Sequence, residues 1–271
     1  MRVARCFIGL MILASALAAA GCSQSGQQQV LFNQPNDPEA IKKLMAAPAP
    51  AARQDGIAAA ILIDTTGSMK EEVLGADRKP KSKLQVAQQA LLKLVEQFSD
   101  FARKNPDRKL LVGIYEFSSR TNQPSCRQIV PLGPPELSGA HKAIGNITAE
   151  GATPIGDAMI AAKRDLDATG YSRRHILVIT DGESNRGYLP GDVARVISQE
   201  PGDSRAAIYF IAFDVSSEVF EPVKDAGGLV LAAEGEQQLT DTLDYILTGK
   251  ILVEQPAAPP STPHPSMGIK K

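Results

Sequence analysis

Residues 57–63 are an unbroken apolar run, Ile-Ala-Ala-Ala-Ile-Leu-Ile, and the run stops at Asp64. A segment of that length with no polar face predicts a strand covered on both sides. A second such run, Ile176-Leu177-Val178-Ile179, ends in Thr180-Asp181-Gly182. Apolar strands that end in acids, with helical stretches between them, constrain the chain to a parallel sheet wrapped by helices.

The remaining pattern agrees. Leu84, Ala87, Leu91, Leu94, Val95 and Phe98 recur at helical spacing, so residues 82–103 are predicted as an amphipathic helix, stopped by Asn105-Pro106. Strands are expected at 110–117, 128–132, 176–180, 207–213 and 229–232, beside the first at 57–63. Helices are expected after Pro135 and at 154–168, 193–200, 218–226 and 237–247. The fold class expected is α/β: a doubly wound, mostly parallel six-stranded sheet with helices on both faces, and a short antiparallel strand near 128–132. In such sheets ligands sit beyond the carboxyl ends of the strands, where both acidic segments lie.

Those segments are rich in oxygen. Asp64, Thr66 and Ser68 alternate, so a tight loop can turn all three toward one point. Gly151-Ala152-Thr153-Pro154 supplies another hydroxyl between the two strands, and Asp181 a second acid. Hard divalent cations take such oxygens. Each segment also has a purely structural reading. Ser68-x-x-Glu71 has the form of a capping box. Thr153-Pro154 suits a helix start, and Thr180-Asp181-Gly182 suits a turn.

Taken together, the three segments resemble the metal-ion-dependent adhesion site of the von Willebrand factor type A domain, the fold also seen in integrin inserted domains. The Asp-x-Ser/Thr-x-Ser loop of that family is matched by Asp64, Thr66 and Ser68. Its threonine loop is matched by Thr153, and its Thr-Asp-Gly by Asp181. The resemblance implies a Rossmann-like domain over residues 55–250 and a Mg²⁺ or Mn²⁺ ion. Ser68, Thr66 and Thr153 would ligate the ion directly or through water, with Asp64 and Asp181 acting largely through bridging waters. It also implies a protein partner that offers an Asp or Glu carboxylate to an open coordination position. Asp64 and Asp181 are expected at exposed strand ends.

The flanks carry an address. Met1-Arg2-Val3-Ala4-Arg5 precedes an apolar stretch at 7–20, too short to span a bilayer comfortably but right for a signal peptide. It closes in Leu17-Ala18-Ala19-Ala20-Gly21-Cys22, which resembles a bacterial lipobox with Ala19 where leucine is commoner. This implies a signal peptide at 1–21 and lipidation at Cys22. The protein is then expected on the extracytoplasmic side of a bacterial envelope membrane, held by the N-terminal lipid. Residues 22–54, polar and then Ala/Pro-rich, read as a flexible tether, in which 37–44 form a helical turn or two. Residues 251–271 read as a proline-rich tail.

Composition sets limits. A formal net charge of −1 over 271 residues argues against a nucleic-acid footprint. Beyond Cys6 and Cys22 only Cys126 remains, so the folded part has no disulfide. His141, His175 and His264 match no zinc spacing. Residues 70–83 are longer than the family's usual connection and basic, so Arg78, Lys79 and Lys81 are candidate rim residues for an acidic partner, or simply solvated.

Two other functions compete. Asp64-Thr65-Thr66-Gly67-Ser68 superficially resembles the phosphorylation loop of haloacid-dehalogenase-like phosphatases, with Asp64 as nucleophile, but position 66 lacks their second aspartate. No Gly-x-Ser-x-Gly elbow or P-loop is present. The expectation is therefore a binding protein, not an enzyme, with no small-molecule substrate. A structural lipoprotein with a vestigial site is the third reading.

Overall fold

A computed structural model describes residues 31–32, 36–202 and 204–254 of the chain. Along it run β1 (Leu31–Phe32), α1 (Pro38–Met45), β2 (Gln54–Asp64), β3 (Glu72–Leu74), β4 (Pro80–Ser82) and α2 (Lys83–Lys104). Next come β5 (Leu110–Phe117), β6 (Cys126–Gly133), α3 (Leu137–Gly145), α4 (Ile155–Ala168), β7 (Tyr171–Thr180) and β8 (Arg186–Gly187). The last are α5 (Pro190–Ser198), β9 (Ala206–Phe213), α6 (Glu221–Asp225), β10 (Leu229–Ala233) and α7 (Gly235–Ile246).

Six strands form the central sheet in the order β10-β9-β7-β2-β5-β6. All pairings are parallel except β5 with β6. The chain goes from β2 outward to β5, then returns to the other side of β2 as β7. The winding thus reverses between β2 and β7, the position where sheets of this kind commonly hold their ligands. This is the doubly wound α/β fold expected from the sequence, with the antiparallel strand expected near 128–132 found as β6, at the edge of the sheet.

Alternation along β2 explains why the run had to be apolar throughout. Ile57, Ile61 and Ile63 face the layer built by α2, α3 and α7.

 Ala59 lies in the same row, and Ala58, Ala60 and Leu62 face the opposite layer, built by α1, α4, α5 and α6. A side chain on either face of this strand meets a packed helix, and each buried Ile or Leu contributes about 1.5–3 kcal/mol. On α2 the apolar stripe from Leu84 to Phe98 is buried as its spacing requires. The helix starts at a true capping box: Gln85 N donates to Ser82 Oγ (3.1 Å), and Ser82 N donates to Gln85 Oε1 (3.0 Å). The Ser68/Glu71 pair caps nothing.

The packed region is wider than residues 55–250. The helical turns expected at 37–44 within the tether are α1, and they pack on the domain: Pro38 stands at the helix start, and Asp37 Oδ1 accepts from Glu39 N at 3.1 Å. Ile41 and Met45 are buried in the layer with α4 and α5. The physical reason is an apolar pair at i and i+4 that meets an open hydrophobic face. At the other end Ile251 is buried, and the carbonyls of Leu252 and Glu254 accept from Arg108 at 2.9 and 2.6 Å. The tail beginning at 251 is therefore held through 254. Residues 1–30 and 255–271, with the signal peptide, Cys22 and most of the tail, lie outside the described residues.

Two further elements differ from expectation. Strand β7 begins at Tyr171, not 176, because β2 continues back to Gln54 and pairs with it. Its polar half is accommodated by ion pairs, Arg173 to Asp55 (3.0 Å) and Arg174 to Asp167 (3.3 Å). The basic connection at 70–83 contains a hairpin, β3 against β4, closed by a turn in which Gly75 N donates to Lys79 O at 2.8 Å. Among the described residues no helix is long and apolar enough to cross a membrane.

Candidate metal centre

Three neighbouring parallel strands each end in an acid at the same edge of the sheet: Asp64 after β2, Asp181 after β7 and Asp214 after β9. The loop after β2 curls back on its own acid, because Thr66 N donates to Asp64 Oδ1 at 2.8 Å. Thr65 turns away and is pinned to the end of β5, its hydroxyl donating to Phe117 O at 3.1 Å. The Gly67–Lys70 turn then brings Ser68 round to β7, where Ser68 Oγ donates to Asp181 Oδ1 at 2.8 Å. Thr66 Oγ1 lies 3.2 Å from Ser68 Oγ. Thr180 Oγ1 donates to Asp64 Oδ2 at 2.6 Å. Asp64, Thr66, Ser68 and Asp181 thus form one hydrogen-bonded cluster.

Thr153 joins through its backbone. Its N–H donates to Asn185 Oδ1 at 2.7 Å, and its carbonyl accepts from Asn185 N and Ser184 Oγ, both at 3.1 Å. Its loop also meets the first one, Gly67 N donating to Gly151 O at 3.1 Å. Gly151 has φ +92°, and any Cβ there would overlap the Ser119 carbonyl oxygen, so only glycine lets this loop pass. Neither Thr153 nor Ser68 caps its following helix by its side chain. The structural readings of these motifs therefore do not describe what the side chains do.

Both acids are buried, Asp64 at 0% exposure and Asp181 at 6%, not at exposed strand ends as expected. The surrounding loops close over them because each loop is tied to its neighbour. Burial pushes the Asp64 carboxyl up to about 7; the bonds from Thr180 and Thr66 pull the other way, and the charge of Asp181 adds to the rise. Asp181 Oδ2 is buried and accepts no hydrogen bond, although an ammonium stands 3.2 Å away.

That ammonium belongs to Lys83, which lies where the basic 70–83 connection meets the helix expected at 82–103 and has no part in the site expected from the sequence. Its Nζ lies 2.9 Å from Glu71 Oε2, 3.1 Å from Asp214 Oδ2 and 3.2 Å from Asp181 Oδ2, and the residue is 5% exposed. Burial opposes its charge, but the three carboxylates more than offset this and hold it above the usual lysine range. Two signals were present in the sequence. A lysine at the first position of a helix opposes the helix dipole and needs acids nearby. Asp214 ends an apolar run just as Asp64 does.

The candidate rim divides. Arg78 and Lys79 are exposed at the hairpin turn, where Arg78 adopts φ +60°. Lys81 is bound to Glu236 of α7 at 2.8 Å, and Ala76 N donates to the same carboxylate at 2.9 Å. The hairpin thus leans on α7, and its base meets the acidic cluster through Glu71.

Chemically, the cluster offers hydroxyl and carboxylate oxygens without sulfur or imidazole. Such a donor set suits a hard cation. Asp181 Oδ2 has the Lys83 ammonium at 3.2 Å and accepts no other hydrogen bond. Among the described residues no group of three or more His, Cys, Asp or Glu side chains forms a metal cluster. The hydroxyls of Thr66, Ser68 and Thr153 would therefore have to complete any site.

Several solved structures are similar to this chain. The vWF domain of the type V pili tip protein Mfa5 from Porphyromonas gingivalis aligns with a TM-score of 0.57 at 10% identity, covering 77% of this chain and 99% of that one. The conserved hypothetical protein BatB from Bacteroides thetaiotaomicron gives 0.55 at 15% identity, covering 72% and 98%. The PilB minor pilin from Streptococcus sanguinis gives 0.54 at 13% identity, covering 73% of this chain and only 61% of the pilin. At these identities the likeness is one of fold. No curated protein matches the chain. Residues 59–183, which include all five candidate ligands, match the family model of the von Willebrand factor type A domain, and the sheet around them has that domain's fold.

Proposed function

We propose that this chain is a binding module that uses a divalent ion, Mg²⁺ or Mn²⁺, to hold a carboxylate of a protein partner. The observation that carries the reading is the convergence of Asp64, Thr66, Ser68 and Asp181 in one hydrogen-bonded cluster at the winding reversal, with Thr153 on the adjoining loop. Ser68, Thr66 and Thr153 would hold the ion through hydroxyls, and Asp64 and Asp181 would balance its charge. Once bound, the ion would supply an electrophilic position for an incoming Asp or Glu. The chain's own residues do the positioning: Thr180 and Thr66 fix Asp64, and Asn185 fixes the Thr153 loop. A pilus tip protein and a minor pilin among the similar structures support a role in binding at a cell surface. Arg78 and Lys79, exposed on the hairpin, would favour approach of an acidic partner.

Asp64 is poorly placed as a phosphatase nucleophile. It is fully enclosed and both its oxygens already accept hydrogen bonds. The reading of a vestigial site has one observation in its favour, the lysine ammonium beside Asp181. Calorimetric titration with Mg²⁺ separates the two. Micromolar to millimolar binding by the wild type, lost in Asp64→Asn, supports the metal site, and equal silence in both leaves a structural domain.

For its place in the cell, the reading is a lipoprotein anchored through Cys22 on the outer side of a bacterial membrane. Acyl labelling that survives Cys22→Ala would remove that part of the proposal without touching the metal site.

A further inference from the structure

We propose that Lys83 is an affinity-setting residue of the metal site, a tethered cation that opposes divalent binding. The inference rests on the metal-site reading. Its Nζ is 3.2 Å from Asp181 Oδ2, the oxygen that accepts no hydrogen bond, while Ser68 Oγ occupies Asp181 Oδ1 at 2.8 Å. A divalent ion between Ser68, Thr66 and Asp181 would therefore share a carboxylate with a fixed positive charge. Like charges that close in a buried site repel strongly, and the ammonium also cancels part of the attraction of Asp181 for the ion.

Lys83 cannot simply swing into solvent. It is 5% exposed and starts the 22-residue helix α2, whose capping box fixes the backbone beside it. Glu71 and Asp214, 2.9 and 3.1 Å away, hold the ammonium from the far side and give it somewhere to lean when Asp181 is engaged elsewhere. The same burial argues against a direct contact between Lys83 and a partner carboxylate. Its effect on a partner passes through the ion. A weakened ion gains more from each added ligand, so metal and partner carboxylate should strengthen each other's binding, reciprocally.

Removing the charge should tighten metal binding, which a purely structural lysine would not do. Mg²⁺ is titrated calorimetrically into wild type, Lys83→Met, Lys83→Gln and Lys83→Arg, each checked for folding by circular dichroism. The Met and Gln variants should bind at least roughly tenfold more tightly than wild type, and Arg, which keeps the charge, within about threefold of it. Binding by Met or Gln where the wild type shows none is the same result in stronger form. Equal or weaker affinity in the folded Met and Gln variants, with wild type binding, overturns the role of Lys83 and leaves the metal site standing. Absence of binding in every protein overturns both. Should the neutral variants fail to fold, the side-chain ¹⁵N signal of Lys83 in the wild type, assigned by its loss in Lys83→Arg, is followed during the Mg²⁺ titration. A signal that shifts with occupancy supports the proposal, and one that stays fixed while calorimetry records binding refutes it.

Discussion

Ser68 Oγ donates a 2.8 Å hydrogen bond to Asp181 Oδ1 across 113 positions of sequence. It ties the loop after β2 to the loop after β7, so two strand ends share one oxygen cluster. The same hydroxyl is 3.2 Å from Thr66 Oγ1, which makes Ser68 the link between the first loop and the second acid.

Ser68→Ala should act more on binding than on folding. It removes one charge-assisted hydrogen bond, a loss of about 1.5–3 kcal/mol at most. The variant keeps both acids, so Mg²⁺ affinity should fall by roughly tenfold, about 1.4 kcal/mol, and not vanish. Calorimetry beside a thermal melt checks this. An unchanged affinity would make Ser68 a loop staple only.

Asp64 should make the metal-free domain less stable as pH rises. Its folded carboxyl is pushed up to about 7 by burial, against an ordinary value of 3.8. Between those values the unfolded chain releases a proton that the folded chain retains, so stability falls as pH climbs from about 4 to 7 and levels off above. The loss is on the order of a few kcal/mol. Asp64→Asn should abolish this component. Its amide can donate to Thr180 Oγ1, which is already within 3.2 Å of Gly182 O as an alternative acceptor. Melts in chelator at pH 5 and pH 8 decide the point: the gap between the two pH values should narrow in the variant.

Gly151→Ala should destabilise the domain by about 1–3 kcal/mol or more, from a strained left-handed residue and a clash with Ser119. Because the loop carries Thr153, metal affinity should drop with it. Gly182→Ala is the contrast, since the nearest atom to a Cβ there is Ser68 Oγ at 4.0 Å. Urea denaturation of the pair should show a large effect at 151 and a small one at 182.

Ile41→Ala should cost about 2–5 kcal/mol, the range for a buried aliphatic truncation. Ile41 is 0% exposed under α4 and α5. Residues 38–45 acting as a mere tether would leave the melting temperature where it was.

Much of the fold was legible because it rests on local patterns. The apolar run before Asp64 marked a strand buried on both faces, and the spacing of Leu84, Leu91 and Phe98 marked α2. Residues 171–175 were missed because Arg173, Arg174 and His175 carry no strand pattern of their own. Their extended form comes from pairing with β2, a contact between segments far apart in sequence. The hairpin at 72–82 escaped notice for a similar reason: no Asn-Gly or Asp-Gly marks its turn.

By itself the sequence determined the apolar cores of the six sheet strands, the order of the acidic and hydroxyl segments, and the residue types at the site, since these depend on neighbours along the chain. Only the tertiary structure decided how deep Asp64 and Asp181 lie, that Ser68 binds Asp181 instead of capping a turn, and that Lys83 stands among Glu71, Asp181 and Asp214. Burial and ion pairing depend on which strand ends become neighbours. That is set by the sheet order, in which β2, β7 and β9 lie side by side although long segments separate them in the chain.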